Sequence, residues 1–94
     1  MDLRFYLDPD TDQPHIYNHG VFETEVEEVL RGPGEDRAGD EGSRVAIGQT
    51  AAGRYLKVVY SRDVGRDSAF VITVYDLTGK PLKAYRRRQR KRRR

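Results

Sequence analysis

The chain has no cysteine, and only 36% of its 94 residues are hydrophobic. Without cysteine it can form neither a disulfide framework nor a zinc site with thiolate ligands, and we expect a cytoplasmic protein because this composition fits a reducing compartment. No apolar run approaches the roughly 18 residues of a membrane span. Residues 1–4 lack the long apolar region of a signal peptide. We therefore expect one small domain with a thin core and no membrane contact.

Several sequence signatures of ligand and catalytic sites are missing as well. The chain contains no G-x-x-x-x-G-K phosphate loop, no His/Asp cluster with metal-site spacing and no Ser–His–Asp series. We therefore expect no metal site and no cofactor.

What the chain does have is an uneven distribution of charge. Residues 86–94, RRRQRKRRR, hold 8 of the 18 basic residues and no acid, which leaves residues 1–85 with 10 basic and 15 acidic residues, a net charge of 10 − 15 = −5. We interpret residues 1–85 as the folded domain and residues 86–94 as a basic C-terminal extension of its last helix. Such a run binds polyanions by counterion release. The nucleic-acid-binding candidates in it are Arg86, Arg87, Arg88, Arg90, Lys91, Arg92, Arg93 and Arg94.

Three consecutive strands are predicted in the second half of the chain. Residues 54–60 and 69–75 are rich in Val, Ile, Tyr and Phe, which favours a hairpin, and residues 44–48 precede them as a third strand. Because side chains alternate along a strand, one face of this sheet is predicted to be apolar. Its members would be Val45, Ile47, Leu56, Val58, Tyr60, Phe70, Ile72 and Val74.

Two helices are predicted before these strands. Residues 8–20 predict an irregular helix that Pro14 interrupts and Gly20 ends in a left-handed conformation. The clearer helix begins near residue 22, because apolar side chains recur there at i, i+4, i+7 and i+8. This apolar stripe consists of Phe22, Val26, Val29 and Leu30.

The resulting order is β-α-α-β-β-β-α, an α+β fold whose antiparallel sheet is covered on one face by two helices. Residues 3–7 predict a short edge strand, and residues 32–43 a mobile loop. The last helix is expected to start near Pro81, with Leu82 and Tyr85 as its apolar anchors. The opposite sheet face would be open or partly covered by this last helix.

A series of specific residues is spread along these elements, from the first strand to the last helix. They are Phe5, Asp8-Pro9, His19-Gly20-Val21 before the acidic helix, Ile47-Gly48-Gln49-Thr50, Gly53-Arg54, Leu56, Val58-Val59, Ile72-Thr73-Val74-Tyr75, Thr78 and Tyr85. With this series the chain resembles the BrnT-type toxins of the RelE/ParE-like superfamily over nearly its full length. The resemblance implies a RelE-like fold and a bacterial type II toxin, a small ribonuclease that a cognate antitoxin protein holds inactive.

Two features depart from that family. Residues 11–18 are poor in the lysine and arginine usual there, and a strand that often ends in arginine ends in Tyr75. Both departures concern cleavage rather than the fold. The alternative is therefore a non-catalytic interaction module with the same fold that binds nucleic acid or the ribosome.

Metal-free cleavage of RNA requires a base for the 2′-hydroxyl, cations for the phosphate and an acid for the leaving oxygen. Our catalytic candidates of these chemical types are His15, Arg54, Lys57, Tyr75 and Tyr85. Alternation places Lys57, Thr73 and Tyr75 on the open sheet face together with Arg44, a further nucleic-acid-binding candidate. The last helix would bring Tyr85 and Arg86 over this face, which predicts a phosphate-binding cleft.

Structural roles compete with these assignments. Lys57 could serve solubility, and Tyr85 could anchor the last helix to the sheet. Arg54 could belong to the strand end, and His19 has a structural role available because the helix dipole favours histidine near a helix C-terminus. The expected partners are RNA or the ribosome and a cognate antitoxin.

Overall fold

The computed structural model describes residues 1–63, 65 and 67–92. One five-stranded mixed sheet has the order β1-β5-β4-β3-β2, and its strands are β1 (Asp2–Phe5), β2 (Glu35–Ala38), β3 (Arg44–Gln49), β4 (Tyr55–Arg62) and β5 (Ser68–Asp76). The α-helices are α1 (Glu23–Arg31) and α2 (Gly79–Arg92), and short 3₁₀ helices span His15–His19 and Asp40–Gly42. The α+β class is confirmed. The sheet is mixed rather than antiparallel, because β1 runs parallel to β5.

The main core lies between the sheet and the layer formed by α1 and the 3₁₀ helix His15–His19. Val26 and Val29 of the predicted stripe are buried there, and Leu30 packs against the same cluster. Phe22 differs from the prediction, because it precedes the first turn of α1 and is 62% exposed. The fully assembled cluster contains Ile16, Val21, Val26, Val29, Ala46, Leu56, Val58, Tyr60, Ala69, Val71 and Val74.

In β3 the predicted inward face is wrong. Ala46 and Gly48 are buried on the α1 side, whereas Ile47 belongs to a second cluster with Leu77 and Tyr85 of the α2 side. Val45 is only half-buried. The prediction placed the larger side chains, Val45 and Ile47, toward α1. Because α1 covers one face of this strand and α2 the other, the size of a side chain does not indicate which face it lies on.

In β5 the inward set changes at a β-bulge. Val59 pairs with Thr73 and Tyr60 pairs with Val71, which leaves Ile72 as an extra residue in β5. Before the bulge the buried side chains are Ala69 and Val71, and after it Val74. Ile72 is 37% exposed and Phe70 is half-buried, so the predicted face holds only C-terminal to the bulge.

The second sheet face is covered by α2. Ile47, Leu77 and Tyr85 form its buried cluster, with Tyr55 and Leu82 packed against it. The predicted anchors Leu82 and Tyr85 are therefore confirmed, and α2 continues through the basic residues to Arg92. Among the described residues, no helix is long and apolar enough to cross a membrane.

Two predicted segments take other forms. Residues 9–13 form turns and bends, and Pro14 forms an antiparallel bridge with Leu7. Pro14 precedes a single 3₁₀ helix, His15–His19, which Gly20 ends with φ 69°, as predicted. The segment 32–43, predicted as a loop, contains β2, which pairs with β3. β2 carries Glu35, Asp36 and Arg37 rather than alternating apolar residues, a composition typical of a charged edge strand.

Candidate nucleic-acid interface

One side of α2 docks against β2. Arg88 donates to Glu35 at 2.5 and 2.9 Å, and these bonds lower the pKa of the Glu35 carboxyl. Gln89 Nε2 and Arg92 Nη1 donate to the carbonyl oxygen of Gly34, at 3.0 and 2.7 Å. Arg88 and Arg92, two residues of the basic run, therefore have structural partners within the domain.

The other side of α2 faces solvent. Four of its exposed cations belong to the basic run and are called here the outward cations: Arg86, Arg87, Arg90 and Lys91. Within the part of the chain that the structure describes, none of the four forms an ion pair. A helix presents residues three and four positions apart on one surface, so these side chains form one continuous basic face. Arg93 and Arg94, also predicted to bind nucleic acid, lie outside the described residues.

A cleft of about 340 Å³ lies beside the outward cations. The Tyr55 and Tyr85 rings meet in it edge to face with centroids 6.1 Å apart. Its remaining lining residues are Gln49, Arg86, Gln89 and Arg90. This Tyr55 cleft combines an aromatic side chain, amides and cations, the groups that bind bases and phosphates of single-stranded nucleic acid.

A second groove, of about 330 Å³, runs along another side of α2. Its cations are Arg37, Lys57 and Arg88, and its apolar lining is Ala38, Val45, Ile47, Leu77, Pro81 and Ala84. α2 contributes Pro81, Ala84 and Arg88, which at 3.6 residues per turn lie on a different side from Arg86 and Arg90. We call this the Lys57 groove.

The predicted grouping on this sheet face is only partly found. Lys57 and Tyr75 are direct cross-strand neighbours, and Thr73 pairs with the next same-face residue of β4, Val59. Tyr75 is 46% exposed. Tyr85 is buried as the anchor of α2, and burial raises the pKa of its hydroxyl.

Arg44 does not join this group. It pairs with Tyr60, whose side chain lies in the α1-side core. Its Nε donates to Asp36 Oδ1 at 2.7 Å, and the Tyr60 hydroxyl donates to the other oxygen of the same carboxylate. The prediction failed because it inverted the two faces of β3.

Arg54 is a structural hub rather than a free cation. It donates to both oxygens of Asp76, at 2.7 and 2.9 Å, and to Glu25 at 3.3 Å. It also donates to the carbonyl oxygens of Gly20 at 2.8 Å and His19 at 3.3 Å. The bond with Asp76 is the main cause of a raised pKa for Arg54 and lowers the pKa of Asp76. A guanidinium with these partners has little remaining capacity for a phosphate.

His15 is part of an aromatic row that also includes Tyr6, His19 and Tyr75. The ring centroids are 5.9 Å apart for Tyr6–His15, 5.3 Å for His15–His19 and 5.3 Å for His19–Tyr75. The row, called here the imidazole row, ends beside Lys57 because Tyr75 is the cross-strand partner of Lys57. The structure thus brings His15, Tyr75 and Lys57 into one region. Arg54 borders this region through Asp76 and the His19 carbonyl oxygen but is docked, and Arg44 lies elsewhere.

Sequence reasoning overlooked some residues of these surfaces. Tyr55 alternates with Lys57 along β4, so its position on the α2 side was available from the strand pattern. The spacing of His15 and His19 within a segment predicted to be helical was a similar signal for a shared surface. No sequence signal indicated that Arg37 lines a groove, because it lies in the segment predicted to be a loop. Among the described residues, no group of three or more His, Asp or Glu side chains could hold a metal ion.

Comparisons of the chain with protein-family models, curated proteins and solved structures find no significant match.

Proposed function

We propose that this chain is a toxin-like RNA-binding protein of a bacterial type II toxin–antitoxin system, acting in the cytoplasm on RNA or the ribosome. The observation that carries the proposal is the division of α2 into a docked side and the outward cations. Arg88 and Arg92 hold the helix on the sheet, while Arg86, Arg87, Arg90 and Lys91 remain exposed. A fixed helix therefore presents a polyanion-binding face.

The chemistry of the surface supports RNA as the polyanion. Cations alone bind any polyanion without reading sequence. The Tyr55 cleft adds an aromatic ring next to Arg86 and Arg90, and stacking on aromatic side chains is available only to unpaired bases. Single-stranded RNA carries both the phosphates that the cations would bind and the unpaired bases that would stack on Tyr55.

The RelE-like topology implied by the resemblance to BrnT-type toxins is part of this proposal. Three consecutive antiparallel strands, β3 to β5, follow α1 and precede α2. This order supports the assignment, to which the structure adds β2. A cognate antitoxin with an acidic surface is the proposed protein partner, since the outward cations would pair with it.

A non-catalytic nucleic-acid or ribosome-binding module is the second candidate. Arg54 is occupied by two carboxylates and two carbonyl oxygens, and Tyr85 is buried. Two of the five catalytic candidates are therefore occupied or enclosed. Growth arrest on induced expression, reversed by an adjacent antitoxin gene, distinguishes the toxin from this module.

RNA binding is tested by changing Arg86, Arg87, Arg90 and Lys91 to Gln in the full chain. We expect the variant to lose most of its affinity for a short, labelled, single-stranded RNA. The slope of log K against log salt should become shallower by up to about 0.7 per cation removed, because each phosphate contact releases counterions. Fluorescence anisotropy titrations at ~50 mM and ~200 mM salt measure both quantities.

The matched control is Arg31→Gln with Arg62→Gln, two exposed cations at the ends of α1 and β4. We expect this variant to retain the RNA affinity of the unchanged chain. The double variant Arg87→Gln with Lys91→Gln removes the same amount of charge from the outward cations and is compared with it directly. Substitution is preferable to deletion of residues 86–94, because deletion also removes the docking contacts of Arg88, Gln89 and Arg92. Equal losses in the two double variants would contradict the proposal.

A further inference from the structure

β1 is an edge strand, and within the described residues no strand pairs with its outer edge. The N–H groups of Asp2 and Tyr6 donate to carbonyl oxygens of β5 and of the residue before it, both at 2.9 Å. Because successive residues of a strand point their N–H and C=O groups to opposite edges, those of Leu3 and Phe5 point away from β5. The outer edge of β1 is therefore a row of backbone donors and acceptors on which a further strand can pair.

The opposite edge of the sheet is shielded by side chains. β2 lies there, and Gln89 and Arg92 of α2 donate to the carbonyl oxygen of Gly34 just before it. The carbonyl oxygen of Asp36 accepts from Arg44 Nη2 at 3.1 Å. No side chain in the part of the chain that the structure describes donates to the backbone of β1 in this way. Of the two edges, that of β1 is the one open to pairing.

The exposed side chains of β1 carry opposite charges. Asp2 and Arg4 are exposed, whereas Leu3 and Phe5 pack against the main core. Asp2 forms no ion pair with the described residues. Arg4 is 59% exposed and uses Nη2 to donate to Asp63 at 2.6 Å, which leaves its other N–H groups for a further acceptor. The strand thus carries an acid and a base two positions apart on one face.

We propose that two copies of the chain form a two-fold symmetric dimer through β1, in which the two β1 strands pair antiparallel and join both five-stranded sheets. Leu3 of one copy lies opposite Leu3 of the second copy, on the two-fold axis. In this register Asp2 of each copy lies opposite Arg4 of the other, so the symmetry forms the same opposite-charge pair twice. This inference does not depend on RNA binding.

Backbone and charge together select this register. Leu3 and Phe5 point their N–H groups outward, so hydrogen bonds form only in registers that align these residues with each other. Pairing Leu3 with Phe5 would place the Arg4 side chains of the two copies opposite each other. Pairing Phe5 with Phe5 would place Asp2 opposite Asp8. Like charges directly opposite are destabilising, so the register with Leu3 on the axis is favoured.

A recess beside the axis provides apolar contacts for the second copy. This cavity of about 210 Å³ lies between β1 and the C-terminal half of α1, and its lining is Met1, Leu3, Glu27, Leu30 and Arg31. Met1 is 51% exposed. Direct cross-strand neighbours share a sheet face, so Leu3 of the second copy lies on the α1 side, next to this recess. Burial of apolar surface there adds to the backbone hydrogen bonds.

This dimer leaves the outward cations free. β1 and β2 lie at opposite ends of the sheet, and α2 docks on β2 through Arg88 and Glu35. The two-fold axis of an antiparallel strand pair is perpendicular to the sheet, so the α2 helices of both copies lie on the same side of the joined sheet. The dimer therefore presents two basic faces in one direction.

Sedimentation equilibrium of the full chain tests the association. Over a concentration series that reaches ~1 mM, the apparent mass should rise from 10.9 kDa toward twice that value. Asp2→Arg and Arg4→Asp should each weaken the dimer about 10-fold or more, because each turns two opposite-charge pairs into like-charge pairs. An equimolar mixture of the two variants should associate as tightly as the unchanged chain, because every cross-strand pair in the mixed dimer again joins an acid and a base.

Folding of the variants is checked by circular dichroism. Arg4→Asp loses the bond to Asp63, whereas the Asp2 side chain has no ion pair to lose within the described residues. Asp2→Arg alone therefore keeps the test valid should Arg4→Asp unfold. In the unchanged chain, the N–H groups of Leu3 and Phe5 should exchange with solvent more slowly as the concentration rises, which NMR measures residue by residue.

The variant with all four outward cations changed to Gln identifies the surface in contact, and it should dimerise like the unchanged chain. Loss of association in that variant would assign the contact to α2 and the acidic α1 instead, and would overturn the inference. A chain that stays monomeric at ~1 mM, or a mixture that associates no better than its two components, would overturn it as well. Because no RNA is present, these outcomes leave the proposed function to its own test.

Discussion

At the scale of single residues, Gly34 sets how closely α2 approaches the sheet. Its carbonyl oxygen accepts from Gln89 and Arg92, and a Cβ atom added to it would stand 1.9 Å from Tyr85 Oη and 2.9 Å from Tyr85 Cζ. Tyr85 is buried, so its ring cannot move away without disturbing the Ile47–Leu77 cluster. No side chain larger than hydrogen fits here.

Gly34→Ala should therefore destabilise the domain by about 1–3 kcal/mol, the usual cost of overpacking. Each kcal/mol corresponds to a Tm lower by roughly 4–8 °C in a domain of this size. Gly32→Ala is the matched control in the same loop, because its Cβ would meet nothing within 4 Å. Thermal unfolding followed by circular dichroism compares the two, and equal Tm values would refute the close approach of α2.

At the scale of elements, Arg54 connects the 3₁₀ helix His15–His19, α1 and β5. It reaches the carbonyl oxygens at the end of the 3₁₀ helix, Glu25 of α1 and Asp76 of β5. These elements meet at one end of the sheet, where β5 no longer pairs with β1. At this edge, hydrogen bonds of the Arg54 side chain hold the elements together in place of backbone pairing between strands.

Arg54→Ala should cost about 2 kcal/mol, because it removes several charge-assisted hydrogen bonds at a partly buried site. Arg37→Ala, which removes one exposed ion pair with Glu35, should cost less than about 1 kcal/mol. Urea unfolding at neutral pH measures both free energies of unfolding. Similar values for the two variants would mean that Arg54 holds no elements together.

Elements with a strong period were predictable from the sequence, as were the buried faces of α1, α2 and β4, but the buried faces of β3 and β5 were not. The stripe of α1 and the anchors of α2 follow from apolar spacing, and both helices are found. In β3 and β5 the faces were misassigned, because α2 buries apolar residues on the side predicted to be open or only partly covered by the last helix, and the bulge at Ile72 shifts the alternation. β2 was missed because its pairing depends on β3 rather than on its own composition. The misplacement of Arg44 follows directly from the inverted face of β3.

At the scale of the whole molecule, ion pairs link stability to pH. The pKa values of Asp8, Glu35 and Asp76 are all lowered in the folded chain by hydrogen bonds to their carboxylates. A carboxyl with a lowered pKa stabilises the fold above its unfolded-state pKa of about 4, and this stabilisation is lost as pH falls through the folded-state value. Neutral pH therefore retains all three contributions.

We expect the free energy of unfolding to fall as pH drops below about 4. Glu35→Gln should lower stability at neutral pH, because it replaces the ion pair with Arg88, and should show a smaller loss on acidification. Urea unfolding of both chains at neutral pH, near pH 4 and at lower pH gives the comparison. An equally large acid-induced loss in the Gln variant would show that this pair does not contribute.

The division of charge also operates at this scale. Residues 1–85 carry a net charge of −5 and residues 86–94 hold 8 cations, so an anionic ligand is attracted to one end of α2 and repelled by most of the remaining surface. The acidic helix α1 lies on the other side of the sheet from α2. RNA is therefore expected on the α2 side alone.

The position of bound RNA tests the proposed function most directly, and NMR shift mapping measures it. The ¹⁵N-labelled full chain is titrated with single-stranded RNA carrying 2′-O-methyl groups. The largest shifts should occur at Arg86, Arg87, Arg90 and Lys91 and at Tyr55 in the adjacent cleft, with α1 unchanged. Shifts centred on α1, or no shift at the outward cations when RNA is bound, would contradict the proposal.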